Sequence, residues 1–214
     1  MASTAASNFT TSTPPVPRDC HGSIAPQPIA TPTYGPGGSF TIRCSTNISA
    51  PPDAVFAVLN DYSRWPEWNR FVRKATVNPD DLPSQGDSAD ATAIKKDMRL
   101  TFDVHMDPLD PGSSPRKENM FVTTLEPYEA VDGAEGKGWR VAWKSTSYPS
   151  LALRSERVQE VVDDGNGNTE YTCWETMYGP LAPVVKWTVG SKLETAFQCW
   201  SEDLKKRAEE GVRT

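Results

Sequence analysis

The chain contains seven segments whose apolar and polar residues alternate, or whose composition is typical of β-strands. The clearest is residues 98–106, where an apolar side chain occupies every second position. Between the last two segments, an Asp-Gly pair and an Asn-Gly pair predict a tight hairpin turn. The seven predicted strands are residues 40–47, 71–77, 98–106, 117–126, 138–147, 153–162 and 169–178.

Two segments have the periodicity of amphipathic helices. Ser49 can cap the first, whose first turn holds Pro51, Pro52 and Asp53. The second covers residues 183–210 and has no proline after its first position. Its apolar positions are spaced by three or four residues, as one buried helical face requires. They are Val189, Leu193, Phe197, Trp200 and Leu204. Meandering strands before one long terminal helix predict an α+β fold with an antiparallel sheet.

Residues 1–38 differ in composition from the rest of the chain. They are rich in Ser, Thr, Pro, Ala and Gly and contain few ionisable side chains. Such a segment buries too little apolar area to offset its ordering entropy, so we expect a disordered tail. The folded domain is then residues 39–214. The tail lacks the apolar core of a secretory signal and the arginines of a transit peptide, which predicts a cytoplasmic protein.

Charge and cysteine usage exclude several classes of function. The 214 residues carry a formal net charge of -6, and no basic stripe suited to nucleic acid is visible. No apolar run is long enough for an integral membrane segment. The four cysteines lack metal-site spacing, and the histidines are His21, in the tail, and His105, which we expect to be exposed. We therefore expect no metal, and the absence of phosphate-loop and dinucleotide motifs predicts no cofactor.

Residues 51–69 combine a proline-led helix with an aromatic turn. The motif consists of Pro51-Pro52-Asp53-Ala54-Val55-Phe56, Asp61-Tyr62 and Trp65-Pro66-Glu67-Trp68-Asn69. It resembles the opening of the START-like helix-grip superfamily (SRPBCC), which includes polyketide cyclase/dehydratase-like and coenzyme-Q-binding-like domains. The resemblance extends from Phe40 to Gly211. It implies that a curved antiparallel sheet of about seven strands wraps the C-terminal helix and leaves a cavity between them.

The strand before the terminal helix carries the candidate for proton transfer. Residues 172–181 resemble the superfamily's Glu-x-Phe-x-Gly-x-Leu pattern, which carries over to Glu175, Gly179 and Leu181, while Met177 replaces the aromatic residue. The resemblance implies that Glu175 approaches the cavity. Burial would raise the pKa of Glu175, whereas Arg157 or Arg154 on the partner strand would keep it ionised. The alternative is an ion pair without a chemical role.

Aromatic side chains are the candidates for the wall of the cavity. Each one alone is expected in the core, but as a set they would suit a flat or polycyclic ligand. Tyr62 and Asn69 are candidates for hydrogen bonds at the mouth. The aromatic candidates are Trp65, Trp68, Phe102, Trp139, Trp143, Phe197 and Trp200.

Three functions are compatible with these features. The first is binding of a hydrophobic small molecule, a lipid or a polyketide-like compound, in the cavity. The second is a cofactor-free polyketide cyclase/dehydratase, in which Glu175 is the general acid or base and Arg157 or Tyr171 stabilises enolate charge. The third is a protein-interaction adaptor with an occluded pocket, whose protein partners the sequence does not identify.

Overall fold

Eight antiparallel strands form one sheet in the computed structural model, which describes residues 16–81, 92–128 and 137–212. The strand order is β1-β2-β8-β7-β6-β5-β4-β3, so the chain meanders from β3 to β8 and then β2 pairs with β8. The strands are β1 Ser23–Ile24, β2 Phe40–Ile48, β3 Val72–Val77, β4 Arg99–Val104, β5 Arg116–Pro127, β6 Gly138–Ser145, β7 Arg154–Asp163 and β8 Thr169–Tyr178. Seven of them confirm the predicted strands, and β1 is additional.

Two short helices connect β2 to β3. Helix α1 covers Pro52–Asn60 and α2 covers Trp65–Trp68. The prediction that Ser49 caps α1 is wrong, because the N-cap residue is Pro51, which has no side-chain cap hydrogen bond. Its extended backbone leads directly into Pro52, whose fixed φ suits the first helical position.

The long terminal helix α3, Ala182–Val212, packs against β2 and α1 on one face of the sheet. Its buried positions repeat at helical spacing, as the sequence predicts, and include Leu193, Phe197, Trp200 and Leu204. This α+β arrangement is the helix-grip fold. None of the helices in the described part of the chain is long and apolar enough to span a membrane.

Residues 16–38 correct the expectation of a disordered tail, of which residues 1–15 lie outside the described residues. The segment places Val16 in a small apolar cluster with Val158 and Trp174 on the face of the sheet opposite α3. Backbone N–H groups of Gly22 and Ile24 donate to side chains of α3, at 2.8 Å each. Proline and serine do not prevent order here, since the sheet and α3 supply hydrogen-bond partners that the segment lacks by itself.

Because residues 16–38 cover the outer face, strand β8 is buried on both sides. Its polar and apolar residues therefore do not alternate cleanly, and the sequence alone does not show which set faces α3. The structure shows that Tyr171, Cys173, Glu175 and Met177 lie on the α3 side, and Trp174 lies on the outer side.

Candidate functional site

A cavity of about 180 Å³ lies between strands β3 to β8 and the N-terminal half of α3. Its wall is mainly apolar, and the sheet curves so that side chains from several strands converge on it. The main apolar residues are Phe102, Val104, Met120, Trp143, Val189 and Leu193. The polar residues on the wall are Arg116, Glu118, Ser145, Tyr148, Ser155, Arg157, Glu175 and Thr188.

Glu175 reaches the cavity from β8, directly opposite Arg157 of β7. Burial raises the pKa of Glu175, whereas the charge of Arg157 and a hydrogen bond from Ser155 lower it, so the net direction is upward. The Glu175 residue is largely buried, and it lines the cavity wall. Glu175 therefore keeps its proton to a higher pH than a carboxyl group in water does.

Arg157 is held among aromatic rings at the inner end of the cavity. Only 3% of the residue is accessible. The guanidinium carbon lies 4.3 Å from the ring centre of Phe197 and 4.2 Å from that of Trp200, both close enough for cation–π attraction. Its Nε donates to Cys173 Sγ at 3.1 Å, and its buried Nη2 has no hydrogen-bond partner.

Two buried thiols lie beneath Arg157. Cys44 and Cys173 are direct cross-strand partners, and both are free and fully buried. Burial raises the pKa of Cys173, but the hydrogen bond from Cys44 and the guanidinium of Arg157 outweigh burial and lower it to about 7. The thiol hydrogen bond and burial raise the pKa of Cys44. The inner end of the cavity thus contains a fixed positive charge beside a readily ionised sulfur.

A second polar group lies at the outer end, where the Arg116 side chain is more than half exposed. Arg116 Nε contacts Glu118 Oε1 at 2.8 Å, and the hydroxyl of Tyr148 donates to the same oxygen at 3.4 Å. Sequence reasoning missed these residues because alternating charged side chains near the start of a strand are typical of a solvated edge. For Arg116 and Glu118 the sequence does contain a signal: they lie on the same side of β5 as Met120, which is buried in the core.

The structure brings four of the predicted site residues together on the cavity wall: Phe102, Trp143, Arg157 and Glu175. Trp65 and Trp200 pack behind them, with ring centres 5.3 Å from Phe102 and 6.3 Å from Trp143, respectively. Neither they nor Phe197 lines the cavity, because all three are fully buried in the core.

Tyr171 is also a core residue, although the sequence analysis gives it a possible catalytic role. Its hydroxyl donates to Gln159 Oε1 at 2.6 Å and accepts from Trp200 Nε1 at 2.8 Å. The side chain is fully buried and does not line the cavity. With both contacts inside the protein, the hydroxyl is not available to a molecule in the cavity.

The remaining predicted residues also lie away from the cavity wall. Asn69 Oδ1 accepts from the backbone N–H groups of Phe71 and Val72, which sets the start of β3. Trp139 stacks on Phe56, with ring centres 4.5 Å apart, and donates to Asp53 of α1 at 3.0 Å. Both contacts are structural.

Tyr62 and Trp68 are half-buried and pack against the main core. Both belong to the helical connection between β2 and β3, and neither lines the cavity. The prediction that they contribute to the site therefore has no support from their position.

Within residues 16–81, 92–128 and 137–212, no three His, Cys, Asp or Glu side chains come together as a metal site requires. His105, expected to be exposed, is instead buried, with Nδ1 2.8 Å from the carbonyl oxygen of Ser113. Burial and nearby Arg73 lower the pKa of His105.

Comparisons with known proteins agree with this architecture. Residues 39–209 match the family model described as "Polyketide cyclase / dehydrase and lipid transport". A curated relative from Penicillium oxalicum, "Oxopyrrolidines biosynthesis cluster protein O", is 29% identical over 175 residues, which cover 77% of this chain and 84% of the relative.

Two solved structures show the same fold at low sequence identity. The Zhui aromatase/cyclase from a Streptomyces species has a TM-score of 0.56 and 12% identity, over 81% of this chain and 96% of that one. Norcoclaurine synthase from Thalictrum flavum, in complex with dopamine and hydroxybenzaldehyde, has a TM-score of 0.52 and 12% identity, over 79% and 86% of the two chains.

Proposed function

Because the chain belongs to the polyketide cyclase/dehydrase and lipid transport family of the START-like helix-grip superfamily, we propose that it binds a hydrophobic, polyketide-like small molecule between the sheet and α3. The observation that carries this proposal is the mainly apolar cavity itself. Its volume of about 180 Å³ is slightly larger than an engineered cavity of about 150 Å³ that accepts benzene. A compact body of one or two rings therefore suits it better than a long acyl chain.

Burial of the ligand's apolar surface supplies most of the expected affinity. Removing about 200 Å² of apolar area from water contributes on the order of 5 kcal/mol, which corresponds to a dissociation constant between millimolar and micromolar. Directed hydrogen bonds from the polar residues at the two ends of the cavity would add to this and fix the ligand's orientation.

The pairing of Glu175 with Arg157 favours a second candidate, a cofactor-free cyclase or dehydratase. Glu175 in its ionised form would take a proton from the carbon next to a substrate carbonyl, and Arg157 would stabilise the enolate. The enolate carbon would then attack a second carbonyl of the same molecule, and protonated Glu175 would return its proton to the new alkoxide. Ionised Glu175 would then remove a second proton from the same carbon and deliver it to the departing hydroxyl, which leaves as water and completes a dehydration.

The descriptions of two similar proteins are compatible with this second candidate. One is named for a biosynthesis cluster and another is an aromatase/cyclase. The adaptor hypothesis requires an occluded pocket, so the open and apolar cavity counts against it.

Calorimetric titration with naphthyl methyl ketone tests the binding proposal. We expect saturable binding to the wild-type protein and loss of binding in Val189→Trp, because Val189 lines the cavity and the larger ring fills it. Val184→Trp is the matched control on the same helix, since Val184 is 52% exposed. Equal affinity in all three proteins would place the binding site elsewhere. Native mass spectrometry of co-purifying molecules would then identify the natural ligand.

A further inference from the structure

Arg157 is a buried cation on the wall of an apolar cavity, and none of the salt bridges among the described residues includes it. A guanidinium remains protonated in proteins, so burial does not remove its charge. A buried charge is costly unless it is paired and its hydrogen-bond donors are satisfied. Either other groups of the protein compensate this charge, or a bound ligand does.

The protein satisfies only part of the guanidinium. Among its five N–H donors, the one on Nε reaches Cys173 Sγ, and buried Nη2 has no partner. The rings of Phe197 and Trp200 attract the positive charge, but they supply no strong acceptor for the remaining N–H groups. An oxygen atom of a molecule in the cavity would supply one.

The two carboxyl groups on the cavity wall do not neutralise Arg157. Glu118 contacts Arg116 and Tyr148 at the outer end. Glu175 lies opposite Arg157 but takes a hydrogen bond from Ser155, and its burial favours the neutral form. Arg116 and Glu118 contact each other, so Arg157 remains on the cavity wall without a carboxylate partner and with a buried N–H donor group that is unsatisfied. Cys173 lies beneath Arg157 and does not line the cavity.

We propose that the ligand is an acid bound as its anion, with a negatively charged oxygen conjugated to a carbonyl accepting hydrogen bonds from Arg157. This inference rests on the proposed binding function and specifies its ligand class. Carboxylates and enolised β-diketones both have this chemistry. The apolar body of the ligand would lie between Phe102 and Leu193, and protonated Glu175 would donate to its second oxygen.

Three probes of similar size separate the possibilities by calorimetry. Naphthoate is an anion, naphthyl methyl ketone is its neutral counterpart of nearly equal shape, and acetylindanedione is a β-diketone that is an enolate at neutral pH. We expect the wild-type protein to bind at least one anion about tenfold more tightly than the ketone. The stronger of the two anions indicates whether the site is built for a carboxylate or an enolate.

Arg157→Met should remove this preference, so that the anions and the ketone bind the variant with affinities within about twofold of each other, since methionine fills much of the same volume but carries no charge. Arg154→Met is the matched control, because Arg154 lies on the same strand but stacks on Tyr34 and Tyr178 instead of lining the cavity. It should keep the preference for the anion. Cooperative thermal unfolding of each variant establishes that it is folded.

The comparison of probes on the wild-type protein decides the question even if Arg157→Met does not fold. Equal affinity of the wild type for anions and ketone would overturn the inference while leaving the binding function intact, and so would an anion preference that survives in folded Arg157→Met. If none of the three probes binds the wild type, the binding function fails and the inference fails with it.

Discussion

Arg157 and Glu175 face each other directly across strands β7 and β8, and both side chains line the same cavity. Two opposite charges at such a position would ordinarily form an ion pair, yet burial outweighs the guanidinium and the net pKa of Glu175 is raised. The pair thus differs from the surface ion pairs of this protein, such as Arg64 with Glu67. Its protonation state has measurable consequences for stability and for chemistry.

Stability should fall with rising pH because of Glu175. Below the ordinary pKa of about 4.5, both the folded and unfolded states carry the proton. Above it, the unfolded chain releases the proton while the folded protein retains it up to its raised pKa, so the free energy of unfolding decreases through this interval. We expect Glu175→Gln to remove this decrease, as measured by urea unfolding at a series of pH values from about 4 upward, since the decrease begins at the ordinary pKa of a glutamate.

Glu210→Gln is the control for that experiment, because Glu210 is exposed on the last turns of α3. Its unfolding free energy should run parallel to that of the wild type across the whole pH range. A constant difference between Glu175→Gln and wild type at every pH would show that Glu175 titrates alike in the folded and unfolded states.

The same variant separates binding from catalysis. If the protein cyclises a polyketide-like substrate, Glu175→Gln should lose at least about a hundredfold in turnover, the lower range for general acid–base catalysis, while keeping its affinity for naphthyl methyl ketone. The amide has nearly the same shape but does not transfer the proton. Turnover that is unchanged in this variant would remove Glu175 from the mechanism and leave the cavity as a binding site.

Tyr171→Phe should lower stability without affecting the cavity. The hydroxyl contacts Gln159 and Trp200, so its loss leaves two buried polar groups unpaired at a cost of about 1–3 kcal/mol. Chemical denaturation measures this change, and calorimetry with naphthyl methyl ketone should give the wild-type affinity. A stable variant with much weaker binding would restore Tyr171 to the site, contrary to its position in the core.

Sequence patterns were sufficient for most of the fold, because the meandering strands and α3 depend on local alternation and on helical spacing. They were insufficient for residues 16–38, whose order depends on partners far along the chain. Thr33, for example, donates to buried Glu156 from both its backbone N–H and its hydroxyl, at 2.8 and 2.6 Å. No local property of a Pro- and Ser-rich segment indicates such a partner.

The site was only partly predictable for a similar reason. The resemblance to the helix-grip superfamily indicated Glu175, and its partner strand indicated Arg157. Aromatic residues of the core and of the cavity wall face the same way, so composition does not separate Trp65 from Trp143. Which of these residues lines the cavity depends on where the curved sheet stands away from α3, and that is a property of the assembled fold.

Removal of residues 1–38 should destabilise the protein, in contrast to what a disordered tail would do. The deletion uncovers Trp174, whose indole N–H donates to Ala30 O at 3.2 Å, and removes both hydrogen bonds from Thr33 to Glu156. A loss of about 3 kcal/mol would lower the melting temperature by roughly 6–12 °C for a domain of this size. Deletion of residues 1–15 leaves these contacts in place and should change the melting temperature much less.

Phe197→Ala should be among the most destabilising changes on α3. The ring is fully buried and packs against the guanidinium of Arg157 and the ring of Phe71. Truncation creates a cavity beside a buried cation, and we expect a loss of about 3–5 kcal/mol in the free energy of unfolding. Trp187→Ala removes a larger ring from the same helix, but Trp187 is 88% exposed, so its effect should stay within about 0.5 kcal/mol. Equal losses in the two variants, measured by urea unfolding, would contradict the orientation of α3 described above.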